Sequence, residues 1–371
     1  MIQMKKNKVF LISLLLTSCF NLLAQTITVP ATLESWDTIG GKPVQETYLG
    51  KECFLIQKGA ITAKGANLRD GIIEADISFS QQRGFPGFVF RIENDNNMEN
   101  FYVRPHQSGN PDATQYTPVF NDYAGWQLYH GEGYSKAFNF KFDQWHHVKI
   151  DIHGLQAEIY IDDMQTPLIK VSQLLNGWKS GRFGFVSGGI PFRVANVQYS
   201  VKEGSAPAAI PVPANGSGGL VTQWQIANPI DRRLFDKTYQ LTKEIKDKLK
   251  WTTQTSWASG TVDLAKYIQP GDTGKAIIAK IVIHAEKEQV KKISFGFSDF
   301  VTVYLNDKAL YSGSDNFMSR DYRFLGTIGF FDGLFLPLKK GDNELWFVVS
   351  ENFGGWGVKA KLENMDGISL K

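Results

Sequence analysis

Trp145-His146-His147-Val148-Lys149-Ile150-Asp151-Ile152-His153-Gly154-Leu155-Gln156-Ala157-Glu158-Ile159-Tyr160-Ile161-Asp162-Asp163 is the stretch that decides the fold class of this chain. Val148, Ile150 and Ile152 fall on one face, and His147, Lys149, Asp151 and His153 on the other. That period of two belongs to a half-buried β-strand. His146 shares the apolar face and is expected to point inward as a structural histidine. Residues 155–161 turn back at Gly154 and alternate again, which reads as a hairpin.

The rest of the first half follows the same pattern. Residues 71–79 end in alternation, residues 85–92 form an apolar run with Gly84, Pro86 and Gly87 breaking its start, and residues 181–185 and 192–201 read as closing strands. No stretch here carries a long helical period. In the second half, residues 242–249 are polar and helix-capable. Strands are expected at 276–285, 292–297, 301–306 and 344–350, with Asn306-Asp307 as a turn signal. Many short strands between frequent turns imply an all-β chain of two β-sandwich (jelly-roll) domains.

The composition agrees. A chain of 371 residues suits two domains. With 43% hydrophobic and 21% charged residues it is a folded, globular chain, and 13% aromatics with 35 glycines fit short strands and tight turns. The formal charge of +3 is matched by Lys5, Lys6 and Lys8, which lie in a leader without acids. The remainder is neutral, so there is no electrostatic footprint for nucleic acid or an anionic membrane.

Residues 1–24 read as a signal peptide: the three lysines form its basic region, residues 9–16 its apolar core, and Ala24-Gln25 a cleavage point. The core is too short for a membrane span. Leu16-Thr17-Ser18-Cys19 also fits a lipobox, which would lipid-anchor Cys19. Plain secretion, to the medium or the periplasm, is favoured because apolar Phe20-Asn21-Leu22-Leu23 continues the signal core. Beyond the leader only Cys53 remains, in the apolar run Cys53-Phe54-Leu55-Ile56, where a buried small hydrophobe is expected. Residues 203–219, rich in Pro, Ala, Gly and Ser, read as a linker. The expected domains are therefore 25–202 and 220–371.

Two stretches resemble known families. Trp145-His146-His147-Val148 followed by Ile159-Tyr160-Ile161-Asp162-Asp163 resembles the concanavalin A-like, laminin G-like jelly roll. Gly71-Ile72-Ile73-Glu74-Ala75-Asp76-Ile77 matches its early strand and Arg182-Phe183-Gly184-Phe185 a late one. The resemblance covers about residues 30–200 and implies fold more than function. That family includes lectins, adhesive modules, polysaccharide hydrolases and lyases, and a related group named for 3-keto-disaccharide hydrolysis. The second half is similar to the galactose-binding-like jelly roll appended to secreted bacterial carbohydrate enzymes. The residues that carry this are Ile293-Ser294-Phe295-Gly296-Phe297-Ser298-Asp299, Val303-Tyr304-Leu305-Asn306 and Gly341-Asp342-Asn343-Glu344-Leu345.

Residues 100–134 carry the densest mixture of polar, aromatic and ionisable types. Tyr102, Arg104 and His106 alternate with Phe101, Val103 and Pro105, which places the three on one strand face. Gln115, Trp126, Gln127, Tyr129 and His130 follow. Arginine forks, glutamine amides and flat aromatic faces are the inventory of a sugar site. The resemblance puts such a site on a concave sheet. Tyr102, Arg104, Gln115, Trp126, Gln127 and Tyr129 are thus the expected sugar contacts, and His106, Arg104 and His130 the expected catalytic group. Scaffold roles compete: Arg104 could pair with Glu99 or Glu93, and the aromatics could fill a core.

Glu74 and Asp76 faintly match the acidic strand of polysaccharide-cleaving jelly rolls, but Phe79 stands where a third carboxylate would be needed. Glu93, Asp95, Glu99 and Asp112 offer oxygens for a structural calcium ion, with a solvated loop as the competing reading and no EF-hand spacing. No other cofactor and no metal site is specified. Trp224, Trp257 and Trp356 could stack on sugars, though core packing is the stronger expectation. The expected function is a secreted carbohydrate-binding protein of a bacterial glycan-utilisation system, with a polysaccharide or oligosaccharide as partner. The alternatives are a glycoside hydrolase or polysaccharide lyase working on the concave face, and an adhesive protein-binding scaffold. Whether the chain cleaves what it binds is not written in these residues.

Overall fold

Alternation along the hairpin builds the first sheet. In the computed structural model, which describes residues 25–272, 274–321 and 324–371, His146–His153 pairs antiparallel with Gln156–Ile161 across Gly154. The leader expected at 1–24, with Cys19, lies outside the described residues. Val148, Ile150, Ile152 and Ile159 are fully buried, whereas His153 is exposed. Sheet I runs in the order Ile169–Val171, Gln156–Ile161, His146–His153, Asp70–Ser78, Phe192–Lys202, Lys51–Ile56 and Val44–Tyr48, with Thr26–Thr28 also on Phe192–Lys202. Sheet II runs Tyr123–Ala124, Thr114–Phe120, Asn97–Val103, Gly87–Asn94, Arg182–Val186, Ala60–Ala63 and Trp36–Ile39, with Ser135–Lys136 also on Thr114–Phe120. Their inner faces close over one core that includes Phe54, Ile73, Phe88, Phe101, Val148 and Phe185. His146 is in this core, stacked on Phe79 at 5.8 Å and hydrogen-bonded through Nδ1 to Asp162 at 2.8 Å. Cys53 is also buried.

The second sandwich uses residues from Gln223 onward. Sheet III runs Trp251–Thr255, Gln223–Ala227, Lys275–Ala285, Gly341–Ser350, Phe300–Leu305 and Lys308–Ser314. Sheet IV runs Val262–Asp263, Gly357–Leu362, Gln289–Ser298 and Asp332–Leu338. Residues 203–214, between the two sandwiches, form neither helix nor strand. The helix-capable stretch supplies a short α-helix, Lys243–Lys246, whose Thr242 cap accepts a hydrogen bond from the Ile245 N–H. With Ile230, Phe235 and Leu241, Ile245 packs on the outer side of sheet III against Ile278, Tyr304 and Trp346. No helix among the described residues is long and apolar enough to cross a membrane.

The two cores are not separate. The cluster between sheets III and IV also takes in Phe120, Leu128, Tyr129 and Leu175 from the first half of the chain. Trp224 and Trp356 are buried in it, which gives both tryptophans core roles.

One end of the first sandwich is closed by a buried charge. Arg91 is 1% exposed and donates to the carbonyls of Arg69, Gly177 and Gly154 and to Asp70 Oδ1. Asp70 also accepts from the Gly154 N–H and the Trp178 indole N–H. This ties the hairpin turn to sheet II. Arg91→Met keeps the bulk but leaves buried Asp70 with only the longer contact to Arg69, at 3.9 Å, and three carbonyls short of a donor. It should cost about 3–5 kcal/mol of stability, read as a lower midpoint in urea unfolding. An unchanged midpoint would contradict the closing role.

Candidate functional site

Pro105 redirects the segment expected to hold the site. Proline lacks an N–H for the ladder and fixes φ, so the strand Asn97–Val103 ends there and a 3-10 turn, Pro105–Gln107, begins. The expectation that Tyr102, Arg104 and His106 share one strand face is therefore corrected. Tyr102 alone is on the strand, while Arg104 and His106 ride the turn.

The expected residues then divide into two groups. Tyr102, Gln115, Gln127 and Tyr129 are buried. The Tyr102 hydroxyl donates to Gln115 Oε1 at 2.7 Å. Gln115 Nε2 donates to the carbonyls of Trp126 and Tyr129, at 2.9 and 2.6 Å. Sheet II thereby holds the loop of residues 121–134, and the loop enters the second sandwich. Gln127 Nε2 donates to the Leu325 carbonyl at 2.8 Å, and the Ser298 hydroxyl donates to Gln127 Oε1 at 3.0 Å. The Gln127 N–H donates to the Gly354 carbonyl, and the Ile328 N–H to the Gln127 carbonyl. Gly354 leaves the space: a Cβ there would sit 2.7 Å from both Gln127 and Trp126. Trp126 is half-buried between Phe317 and Phe353, with centroids at 6.4 and 5.8 Å.

Tyr129 makes the deepest contact. Its hydroxyl donates to Asp263 Oδ2 at 2.9 Å and accepts from the Trp257 indole N–H at 3.1 Å. Burial, followed by the Asp263 charge, pushes the Tyr129 hydroxyl well above its usual pKa. Burial lifts Asp263 to about 6, against the lowering effect of the Tyr129 hydroxyl. These side chains join two sandwiches in a dry interface, where a sugar would have to displace them.

Arg104, His106 and His130 remain near the surface. Arg104 pairs with Asp112 rather than with Glu99 or Glu93. Its guanidinium lies 5.7 Å from the Phe85 ring, and the His106 ring meets Phe85 edge-on at 5.5 Å. Arg104 Nε and His106 Nδ1 are buried and have no hydrogen-bond partner among the described residues. Burial, then the Arg104 and Arg83 charges, hold His106 below the ordinary histidine pKa. His130 is on the other side of the 105–112 turn. Its Nε2 lies 3.2 Å from the Ile328 carbonyl, so Nε2 carries the proton and Nδ1 is left as an acceptor. Desolvation lowers its pKa too, against the raising effect of the Ile328 carbonyl. His106 and His130 are not hydrogen-bonded to each other.

The expected acidic group does not converge. Glu93 pairs with Lys179, Asp95 with Arg182 and Asp112 with Arg104, while Glu99 is buried and accepts from the Tyr116 hydroxyl and the Asn176 N–H. Four carboxylates on four different partners do not surround an ion. Among the described residues no three His, Cys, Asp or Glu side chains are grouped to hold a metal.

The surface feature that collects the remaining polar groups is a groove of about 1480 Å³. Asp112, His130, Glu132, Lys136 and Lys170 line its first-sandwich wall, and Leu325 and Thr327 its second-sandwich wall. Among the described residues no Phe, Tyr or Trp side chain lines it. Its far wall exists because the 121–134 loop docks on the second sandwich. Glu132, Lys136 and Lys170 were not singled out by sequence reasoning, since scattered exposed polar residues carry no local signal.

Comparisons with known proteins give fold likeness only. No family model matches the chain, and no curated protein matches it. Among solved structures, it is similar to a family 66 carbohydrate-binding module from Bacillus subtilis. Identity is 19%, over 45% of this chain and 95% of that one, with a TM-score of 0.36. It is similar to domain 4 of an extracellular arabinanase from Geobacillus stearothermophilus, solved with arabinotriose. There identity is 10%, over 45% and 78% of the two chains, with a TM-score of 0.32. A Bacillus subtilis protein of galectin-like fold gives 11% identity over 46% and 91%, with a TM-score of 0.34. Function is therefore read from this chain's own residues.

The buried carboxyl yields a pH test. Unfolded, Asp263 releases its proton near pH 3.8; folded, it does so near 6. Its contribution to stability is complete below the lower value and is lost as pH rises through the upper one. The loss at neutral pH is on the order of 3 kcal/mol. Asp263→Asn, which cannot ionise, should flatten the stability profile between those two pH values. A variant profile parallel to that of the parent protein would show that Asp263 is not the titrating group.

Proposed function

We propose that this protein binds an oligosaccharide chain in the groove between its two sandwiches. The groove carries the proposal. Its volume of about 1480 Å³ exceeds the roughly 300–1,000 Å³ of a pocket for one small ligand. Its wall offers carboxylates at Asp112 and Glu132, ammonium groups at Lys136 and Lys170, hydroxyls at Ser135, Ser172 and Thr327, and the His130 Nδ1 acceptor. Donors interleaved with acceptors suit a hydroxyl-rich polymer and give an apolar ligand little to bury. Arg104 pairs with the Asp112 carboxylate at the rim, which fixes it in place. In this reading the leader exports a carbohydrate-binding protein that serves bacterial glycan utilisation.

Cleavage is the second reading, and one observation favours it: Asp112 and Glu132 line the same groove. Two carboxyl groups flanking a glycosidic bond are the usual apparatus of a glycosidase.

Residues 25–371 would be titrated with plant, algal and host oligosaccharides in a calorimeter, and each mixture examined by mass spectrometry. The expected result is saturable binding without new products. His130→Ala and Asp112→Ala should each weaken it roughly three- to tenfold, as the loss of one or two hydrogen bonds implies, in proteins that still unfold cooperatively at a modestly lower thermal midpoint. Products heavier by one water, or bearing an unsaturated end, would replace binding by hydrolysis or elimination. Binding unaffected by either substitution would remove the groove as the site.

A further inference from the structure

The outer face of sheet III is only partly covered. Residues 230–250 pack over Ile278, Tyr304 and Trp346, and beside the turn Arg232–Phe235 the sheet stays open in a second groove of about 840 Å³. The strand register defines its floor. Val348 pairs with Thr302, and Thr302 with Ser312; one row further out, Ser350 pairs with Phe300. Because the alternate residues Val301, Val303, Phe347 and Val349 fill the core between sheets III and IV, this set faces outward. The floor thus places half-buried Phe300 among the hydroxyls of Thr302, Ser312 and Ser350. Thr302 and Ser312 already touch through their hydroxyls at 3.2 Å.

Cations stand on the rim. Arg233 is engaged by Asp231. Arg232 and Lys275 also line the groove, and neither enters an ion pair among the described residues. They stand side by side on one edge: Asp231 pairs with Lys275 across the short ladder, and the Arg232 N–H donates to the Gly274 carbonyl.

We propose that this groove is a second saccharide site, separate from the interdomain one, and that it takes a short acidic sugar. The ring packs on Phe300, the floor hydroxyls meet its hydroxyl groups, and Arg232 and Lys275 hold its carboxylate or sulfate. An aromatic face accepts the C–H side of a pyranose, and a shallow floor of small side chains lets the ring lie flat. Arg232, Arg233 and Lys275 outnumber the carboxylates Asp231 and Asp236 in the lining, and that excess of positive charge draws an anion in. A neutral sugar would leave that excess positive charge unmatched, so the site discriminates by charge. Loops at the sandwich end have no part in it.

The test uses residues 25–371 and three probes: tetragalacturonate, its fully methyl-esterified form, and a κ-carrageenan tetrasaccharide, which carries sulfate and no carboxylate. Tetragalacturonate, the sulfated probe or both should bind, and the ester at least tenfold more weakly than the free acid. The first and third arms separate a carboxylate from a sulfate. Arg232→Ala/Lys275→Ala should weaken acid binding at least tenfold and abolish the preference over the ester, at an unchanged thermal midpoint. Phe300→Leu, which keeps an apolar side chain on the sheet, should weaken it while leaving the charge preference intact. Failure of both acidic probes to bind the parent protein overturns the proposal. So does acid binding that survives the double substitution, because the ligand would then be held elsewhere, the interdomain groove included.

Discussion

Everything at this surface depends on a loop of one sandwich being dehydrated inside the other. Gln127 and Tyr129 leave sheet II and end among Ser298, Leu325, Asp263 and Trp257 of the second sandwich. A buried amide or carboxyl costs several kcal/mol if left alone, so each is met. Gln127 uses its amide in both directions, and Asp263 has the Tyr129 hydroxyl as well as the Ala265 N–H. Hydrogen bonds of this kind add little net energy but penalise any other docking heavily. They select one relative placement of the two sandwiches, while Phe120, Leu128 and Leu175 supply the apolar burial that drives it.

That placement makes the groove. The first sandwich brings Asp112, His130 and Glu132, the second brings Leu325 and Thr327, and neither wall is a site by itself. His130 spans the seam, with Nε2 spent on the Ile328 carbonyl and Nδ1 free to accept. The same docking removes Tyr102, Gln115, Gln127 and Tyr129 from solvent, so contact with an external ligand falls to the groove residues. The groove beside Arg232 and Lys275 owes nothing to this interface, because its floor and rim belong to sheet III and the turn that covers it.

The fold was legible because burial writes itself into a period of two. Residues 145–163 showed strand, hairpin and inward His146 at once, and Cys53 declared its burial through its apolar neighbours. The site was much less legible. Tyr, Trp and Gln combine a flat or apolar body with a polar end, and a wet sugar site and a dry protein interface both call for that combination. Nothing local in residues 115–129 separates the two uses. The partner that decides between them is Asp263, or Gly354, more than one hundred positions away. Gly354-Gly355-Trp356-Gly357 did hold a signal, since a glycine that must give way to Gln127 and Trp126 marks a close approach, but the sequence does not say of what. Pro105 was the one local clue passed over: it ends the strand and separates Arg104 and His106 from Tyr102. Arg232 and Lys275 stand on different elements and meet only through the sheet register, which no linear reading displays.

The 121–134 loop, shared between the two sandwiches, should make them unfold as one body. Differential scanning calorimetry of residues 25–371 tests this most directly. A single transition, with calorimetric and van't Hoff enthalpies in agreement, is the expected result. Two resolved transitions, one per sandwich, would contradict it. The interface would then be too weak to couple them, and the groove would lack a fixed second wall.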